Sequence, residues 1–182
     1  MKNSIFLLVI FVDSYPHLLT DDCWDIANGK IFKEFQNWGL LYKVEFDLTI
    51  TNAGSGWTNV FHFTANVDQG HYGDRIPALW IHSAGYFHIS SSFNGGNYYQ
   101  NFDFELGKMY HIIIQQYKGW FGLAYWFEII IDGESKFQIE NTQPQSFSSV
   151  TLYTSDPWYT SFRHFGSICN VKIHHDDPFN RE

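Results

Sequence analysis

Three short stretches combine turn-forming residues with rings and directional hydrogen-bonding groups. Gly70-His71-Tyr72-Gly73-Asp74-Arg75-Ile76-Pro77-Ala78-Leu79-Trp80 sets Tyr72, Asp74, Arg75 and Trp80 among three turn-forming residues, Gly70, Gly73 and Pro77. Asp156-Pro157-Trp158-Tyr159 is a turn followed by two large rings, and Gly119-Trp120-Phe121-Gly122 is a third ring-bearing loop. Aromatic rings stack on sugar faces or bury as hot spots of protein interfaces, while Asp and Arg supply oriented hydrogen bonds. Tyr72, Asp74, Arg75, Trp80, Trp120, Asp156, Trp158 and Tyr159 are therefore the candidate ligand-binding residues. The competing reading is structural: Tyr72 and Trp80 cap the end of a sheet, and Asp74 and Arg75 form an ion pair in a turn.

Catalytic chemistry has weaker support. Glycoside hydrolysis needs two carboxyl groups about 5–10 Å apart facing one cleft. Glu45-Phe46-Asp47 puts two on one strand face, but Lys43, Thr49 and Thr51 share it, as a solvated face would. No serine sits in Gly-x-Ser-x-Gly. In His174-His175-Asp176-Asp177 adjacent side chains would point to opposite faces, so the run is a poor chelate. Parity sets His62 with Val60 and Thr64, opposite Phe61 and Phe63, and places His88 and His111 on a comparable exposed sheet surface. The chain reads as a non-enzyme.

Charge narrows the partners. Eleven Lys and Arg against nineteen Asp and Glu give a net charge of −8, which repels phosphate backbones and anionic lipid. A neutral glycan, a cation or another protein stays open; nucleic acid and membrane insertion do not. Residues 1–14, with Lys2 ahead of the apolar run Ile5–Val12, have the layout of a secretory signal peptide; the alternative is a strand at the amino end. In an oxidising compartment Cys23 and Cys169 are expected to form a disulfide, the alternative being two unrelated thiols.

These residues need a scaffold, and the alternation of apolar and polar residues supplies it. Tyr42, Val44, Phe46, Leu48 and Ile50 fall on one face of a strand, and Lys43, Glu45, Asp47 and Thr49 on the other. Tyr110–Tyr117 and Tyr125–Ile131 are apolar on both faces in part, which predicts central strands. Asp132-Gly133 marks a two-residue hairpin returning through Ser135–Glu140. Further strands are expected at 30–35, 57–67, 78–82, 86–91, 147–154 and 164–174, with Asn94–Asn97 as a turn. About ten short strands and no helical period predict an all-β, two-sheet antiparallel β-sandwich occupying 23–174, followed by a frayed polar tail at 175–182.

The order of these elements resembles the concanavalin A/laminin-G-like jelly rolls, in which the last strand pairs with the first. The hairpin Trp126-Phe127-Glu128-Ile129-Ile130-Ile131-Asp132-Gly133-Glu134 looks like an element common there. Gly70–Trp80 is similar to a G-x-Y-G-D-R-x-P-x-x-W segment of secreted, mostly uncharacterised invertebrate proteins. The resemblance covers about Asn28 to Ile173. The resemblance itself implies little about function; the loop aromatics point to a secreted, non-catalytic module that binds a glycan or an extracellular protein, the alternatives being an assembly protein that self-associates or joins an extracellular matrix and, with less weight, a glycosidase-like enzyme. Laminin-G-like domains often bind calcium at one rim, which implies Asp68, Asp74 and Asp156, with Asn66, as candidate metal ligands. No other cofactor is implied.

Overall fold

The computed structural model describes residues 18–20, 22–24, 28–119, 122–159 and 165–176. Twelve strands run in chain order: β1 Leu18–Thr20, β2 Ile31–Trp38, β3 Tyr42–Ile50, β4 Trp57–Thr64, β5 Ala78–His82 and β6 Tyr86–Phe93, then β7 Gly96–Asp103, β8 Met109–Lys118, β9 Tyr125–Ile131, β10 Glu134–Asn141, β11 Phe147–Tyr153 and β12 Gly166–His175. They form two six-stranded sheets, β1-β12-β3-β8-β9-β10 and β2-β11-β4-β5-β6-β7, here the first and second sheet. Every described strand pair is antiparallel.

The alternation in β3 decides how the first sheet faces. Tyr42, Val44, Phe46, Leu48 and Ile50 are buried, and the four residues between them are half-buried. Pairing with β8 aligns Phe46 with Ile112 and Val44 with Ile114, so each strand adds to one apolar layer. The second sheet answers with Phe61 and Phe63 of β4, Leu79 and Ile81 of β5, and Phe87 and Ile89 of β6, all almost wholly buried. Rings interlock across the gap: Phe46 meets Phe61 edge-on at 5.2 Å, and Phe93 stacks on Phe127 at 4.9 Å. Truncating Phe46 to Ala would cost about 3–5 kcal/mol. At the β9–β10 hairpin, Asp132 and Gly133 both take positive φ (53° and 79°), the backbone that a two-residue turn between twisted strands requires.

The two-sheet fold agrees with the expectation, and three details differ. The turn expected at Asn94–Asn97 closes at Asn94 and Gly95, and the chain extends from Gly96 as β7, a strand beyond those expected. The first expected strand, at 30–35, lies in the second sheet beside β11; the neighbour of the last strand is β1, three residues long. The expected tail begins too early. His175 is buried and stacks on Trp38 at 4.7 Å, and Asp176 accepts a hydrogen bond from the Leu41 amide at 2.7 Å.

Cys23 and Cys169 are joined by a disulfide spanning 146 residues. Loop-closure entropy for that span is worth about 5 kcal/mol. The Trp24 amide bonds to the Ile168 carbonyl at 2.8 Å, so the bridge fastens the segment after β1 along β12. Residues 1–14, 120 and 177–182 lie outside the described residues.

Candidate functional site: an aromatic face on the second sheet

The outer face of the second sheet carries rings where the first carries charges. Cross-strand register sets Trp80 opposite His88 and His82 opposite Tyr86. The next pairing sets His88 opposite Asn101, and Trp57 lies opposite His82. Trp57 sits 4.5 Å from His82, 5.0 Å from His88 and 5.8 Å from Tyr86, ring centre to ring centre. Tyr99 lies 4.5 Å from His88. Trp57 is 45% exposed and Tyr99 59%.

Two loops fold onto the other half of this face and are clamped by one buried histidine. His62 of β4 is fully buried, with Nδ1 3.2 Å from the Asp156 carboxylate and Nε2 2.6 Å from the Asp74 carbonyl. It thereby ties the 65–77 loop and the 154–159 loop to the sheet. Asp74 holds the first loop closed: one oxygen accepts from the amides of Gln69 and His71 (2.9 and 2.8 Å), the other from the Asn66 side chain at 3.3 Å. Asp156 does the same for the second, accepting from the Trp158 and Tyr159 amides at 3.1 and 2.9 Å. Gly73 is where the loop meets the sheet end. Its φ is +92°, and a Cβ there would stand 2.7 Å from the Phe147 ring.

The sequence-selected residues thus divide. Arg75 spans Trp80 at 4.8 Å and forms a two-pronged pair with Asp68, Nε to Oδ1 at 3.0 Å and Nη2 to Oδ2 at 3.2 Å. Its ionic partner is therefore Asp68, not Asp74 beside it. Trp80 is buried among Arg75, His62, His88 and Tyr159 and backs the face. Trp158 meets His62 edge-on at 5.3 Å and, like Tyr159, keeps about two-fifths of its surface open (37% and 42%). Tyr72 lies apart, stacked on Phe147 and donating to the Gln143 carbonyl. Trp120 lies outside the described residues.

The three candidate calcium ligands do not fit a cation cage. Asp68, Asp74 and Asp156 already have their oxygens on a guanidinium, backbone amides and the His62 ring. A calcium site needs six to eight oxygens converging on one point; among the described residues no group of three or more His, Cys, Asp or Glu is placed to hold a metal ion.

The other sheet's outer face holds Glu45 and Asp47. Glu45 lies 2.7 Å from Lys43 and 3.1 Å from Lys172; Asp47 lies 2.8 Å from His111 and 2.6 Å from Asn170. Burial alone would raise both carboxyls, but the surrounding ammonium, amide and imidazole groups prevail and hold both below the ordinary range. A glycosidase acid needs the opposite shift. The three histidines grouped by parity also separate: His62 is buried, His88 is on the aromatic face, and His111 is on this charged one.

Electrostatically the aromatic face is quiet. Burial pulls the His88 pKa down, the nearby Arg75 and His82 lower it further, and the bond to Asn101 only partly offsets them. His88 is therefore neutral at pH 7. Tyr159 is pushed up, by burial first and then by Asp68.

Sequence reasoning missed Trp57, His82, Tyr86, Tyr99 and Asn101. The available signal was the short turn at Ser83–Gly85, which gives Trp80, His82, Tyr86 and His88 one common parity.

No family model matches the chain, and no curated protein matches it. Solved structures do. One is the receptor binding domain of botulinum neurotoxin D, at 10% identity and TM-score 0.55, covering 82% of this chain. The chain spans only 39% of that domain's length. Another is the native heptameric SAP-like pentraxin from Limulus polyphemus, at 13% identity and TM-score 0.50, covering 92% of this chain and 73% of that one. At these identities the likeness speaks to architecture alone: the chain is a two-sheet antiparallel jelly roll.

Proposed function

We propose that this chain is an exported, non-catalytic binding module that takes a glycan on the outer face of its second sheet. The observation that supports it is the ring strip itself: Trp57, Tyr99, Trp158 and Tyr159 stay exposed around a buried Trp80, among His82, His88 and Asn101. Rings that stack on a sugar face, beside neutral hydrogen-bonding groups, are the chemistry of saccharide recognition. The disulfide supports an oxidising, extracellular setting. Among the described residues no helix is long and apolar enough to cross a membrane. The net charge of −8 disfavours nucleic acid as a partner.

The test is a glycan array followed by calorimetry. Specific binding weakened at least ten-fold by Trp57→Ala or Trp158→Ala, in variants of unchanged circular dichroism, supports the reading. No array signal, with capture of an extracellular protein lost in the same variants, replaces the glycan by a protein partner.

One observation favours self-assembly instead. β7 is an edge of the second sheet, carries Asp103 as its only formal charge, and exposes Tyr98 and Tyr99. Long uncharged edges invite pairing with another chain. Sedimentation showing a concentration-dependent oligomer that Tyr99→Lys dissolves, with no array signal, would establish that reading in place of the first.

A further inference from the structure

The two histidines beside Trp57 have opposite hydrogen-bonding polarity, and their partners determine it. The Ala84 amide donates to His82 Nδ1 at 3.1 Å, so that nitrogen carries the lone pair and the ring proton sits on Nε2. His88 Nδ1 lies 2.9 Å from Asn101 Oδ1, an acceptor, so His88 carries its proton on Nδ1 and the lone pair on Nε2. Neither Nε2 has a hydrogen-bond partner among the described residues. A donor and an acceptor thus stand side by side on one face.

Their spacing follows from the sheet. His82 pairs with Tyr86, so His88 is its diagonal neighbour on β6, which puts the two Cβ atoms within about 7–8 Å. Both rings lie within 5.0 Å of the Trp57 ring. The mouth is braced: the Ser83 amide donates to the Gly56 carbonyl and the Gly56 amide to Ser83 Oγ, both at 2.9 Å, locking the turns on either side of Trp57 and His82.

Resting on the proposed glycan reading, we infer that this corner recognises a vicinal diol of an uncharged pyranose, one hydroxyl accepting from His82 Nε2 and its neighbour donating to His88 Nε2, with the sugar face laid on Trp57. Two hydrogen bonds of about 2.8 Å in series with a diol have a reach comparable to the roughly 7–8 Å between diagonal neighbours. Hydroxyls suit the pair because each both donates and accepts, so adjacent ones satisfy opposite polarities. The nearby cation, Arg75, is already paired with Asp68 and leaves no strong attraction for an anionic sugar.

The experiment titrates the full chain with the methyl glycosides of glucose, galactose and mannose, then with each monodeoxy analogue of the best binder, following tryptophan fluorescence. Altering the sugar leaves the protein's folding untouched. Removal of either hydroxyl of one adjacent pair should weaken binding about ten-fold, and removal of any other should change it little. In His88→Phe the penalty for losing the donor hydroxyl should vanish. Binding that depends on Trp57 yet is indifferent to every single deoxygenation, or that follows an acetamido group, overturns the diol assignment and leaves the glycan reading standing. No saccharide binding at all overturns both.

Discussion

The outer faces of the two sheets, built on the same pleated scaffold, are finished in opposite ways. On the first, Glu45 lies between two lysines, Asp47 between His111 and Asn170, and Glu128 between Gln115 and Ser135 at 2.8 and 2.6 Å. Each of these three anions has found its partner within the sheet. On the second, rings contact one another, Trp57 edge-on to His88 and Tyr99 tilted against it, yet keep open surface, and the ion pair between Arg75 and Asp68 serves to hold a loop. A charged side chain satisfied by its neighbours has little left for a ligand. A ring packed on one side still offers the other, and that difference is the ground for proposing a ligand on the second sheet rather than on the first.

The largest expected effect separates stability from recognition. Replacing Cys23 and Cys169 with Ala should cost about 5 kcal/mol of stability, read from a denaturation midpoint. Ligand affinity of the folded protein should be unchanged, because the bridge belongs to the first sheet. Asp156→Ala should do both kinds of damage. It leaves His62 without its buried carboxylate and frees the loop carrying Trp158 and Tyr159, for about 3 kcal/mol and a clear loss of binding. Stability lost without any loss of binding would detach that loop from the site.

Acid should touch the two faces in sequence. His88 has a native pKa below the unfolded 6.5, so its contribution is present above pH 6.5 and is lost as pH falls through the lowered native value. The protonated ring would then face Arg75 and His82 and lose the Nε2 lone pair, so binding should fail in that window. Glu45 and Asp47 are lowered from 4.5 and 3.8, so what they contribute is present above those values and is lost only at lower pH. A titration followed by calorimetry and by thermal melting should show binding fail before the fold does; a single common midpoint would erase the distinction. Smaller still, Lys172→Met should cost less than about 1 kcal/mol and leave binding intact. Smallest of all, calcium or a chelator should leave the melting temperature unmoved; a rise with calcium would mean that oxygens other than those of the three paired aspartates form a site.

Strand parity made the sandwich legible. Tyr42–Ile50 alternates without a break, and Asp132-Gly133 specifies its turn by the φ values it tolerates. β7 escaped because Gly96-Asn97-Tyr98-Tyr99 has neither alternation nor apolar weight; an edge strand with one inward ring in two needs little of either. The site was legible in part. Trp158, Tyr159, Arg75 and Trp80 do come together, yet the aspartates read as ligands turned inward, since two loops laid on a sheet need acceptors for their own amides. Trp57 and Tyr99 stayed hidden because only register across three hydrogen-bonded pairs makes them neighbours of His82 and His88, which the turn at Ser83–Gly85 alone could have joined.

The disulfide also has a mechanical consequence. It fastens the segment after β1 to β12, so the three-residue edge strand is held to the first sheet by a covalent bond as well as by its hydrogen bonds. A pull on that segment would therefore be carried by β12, inside the first sheet, and would leave the second sheet and its rings unloaded.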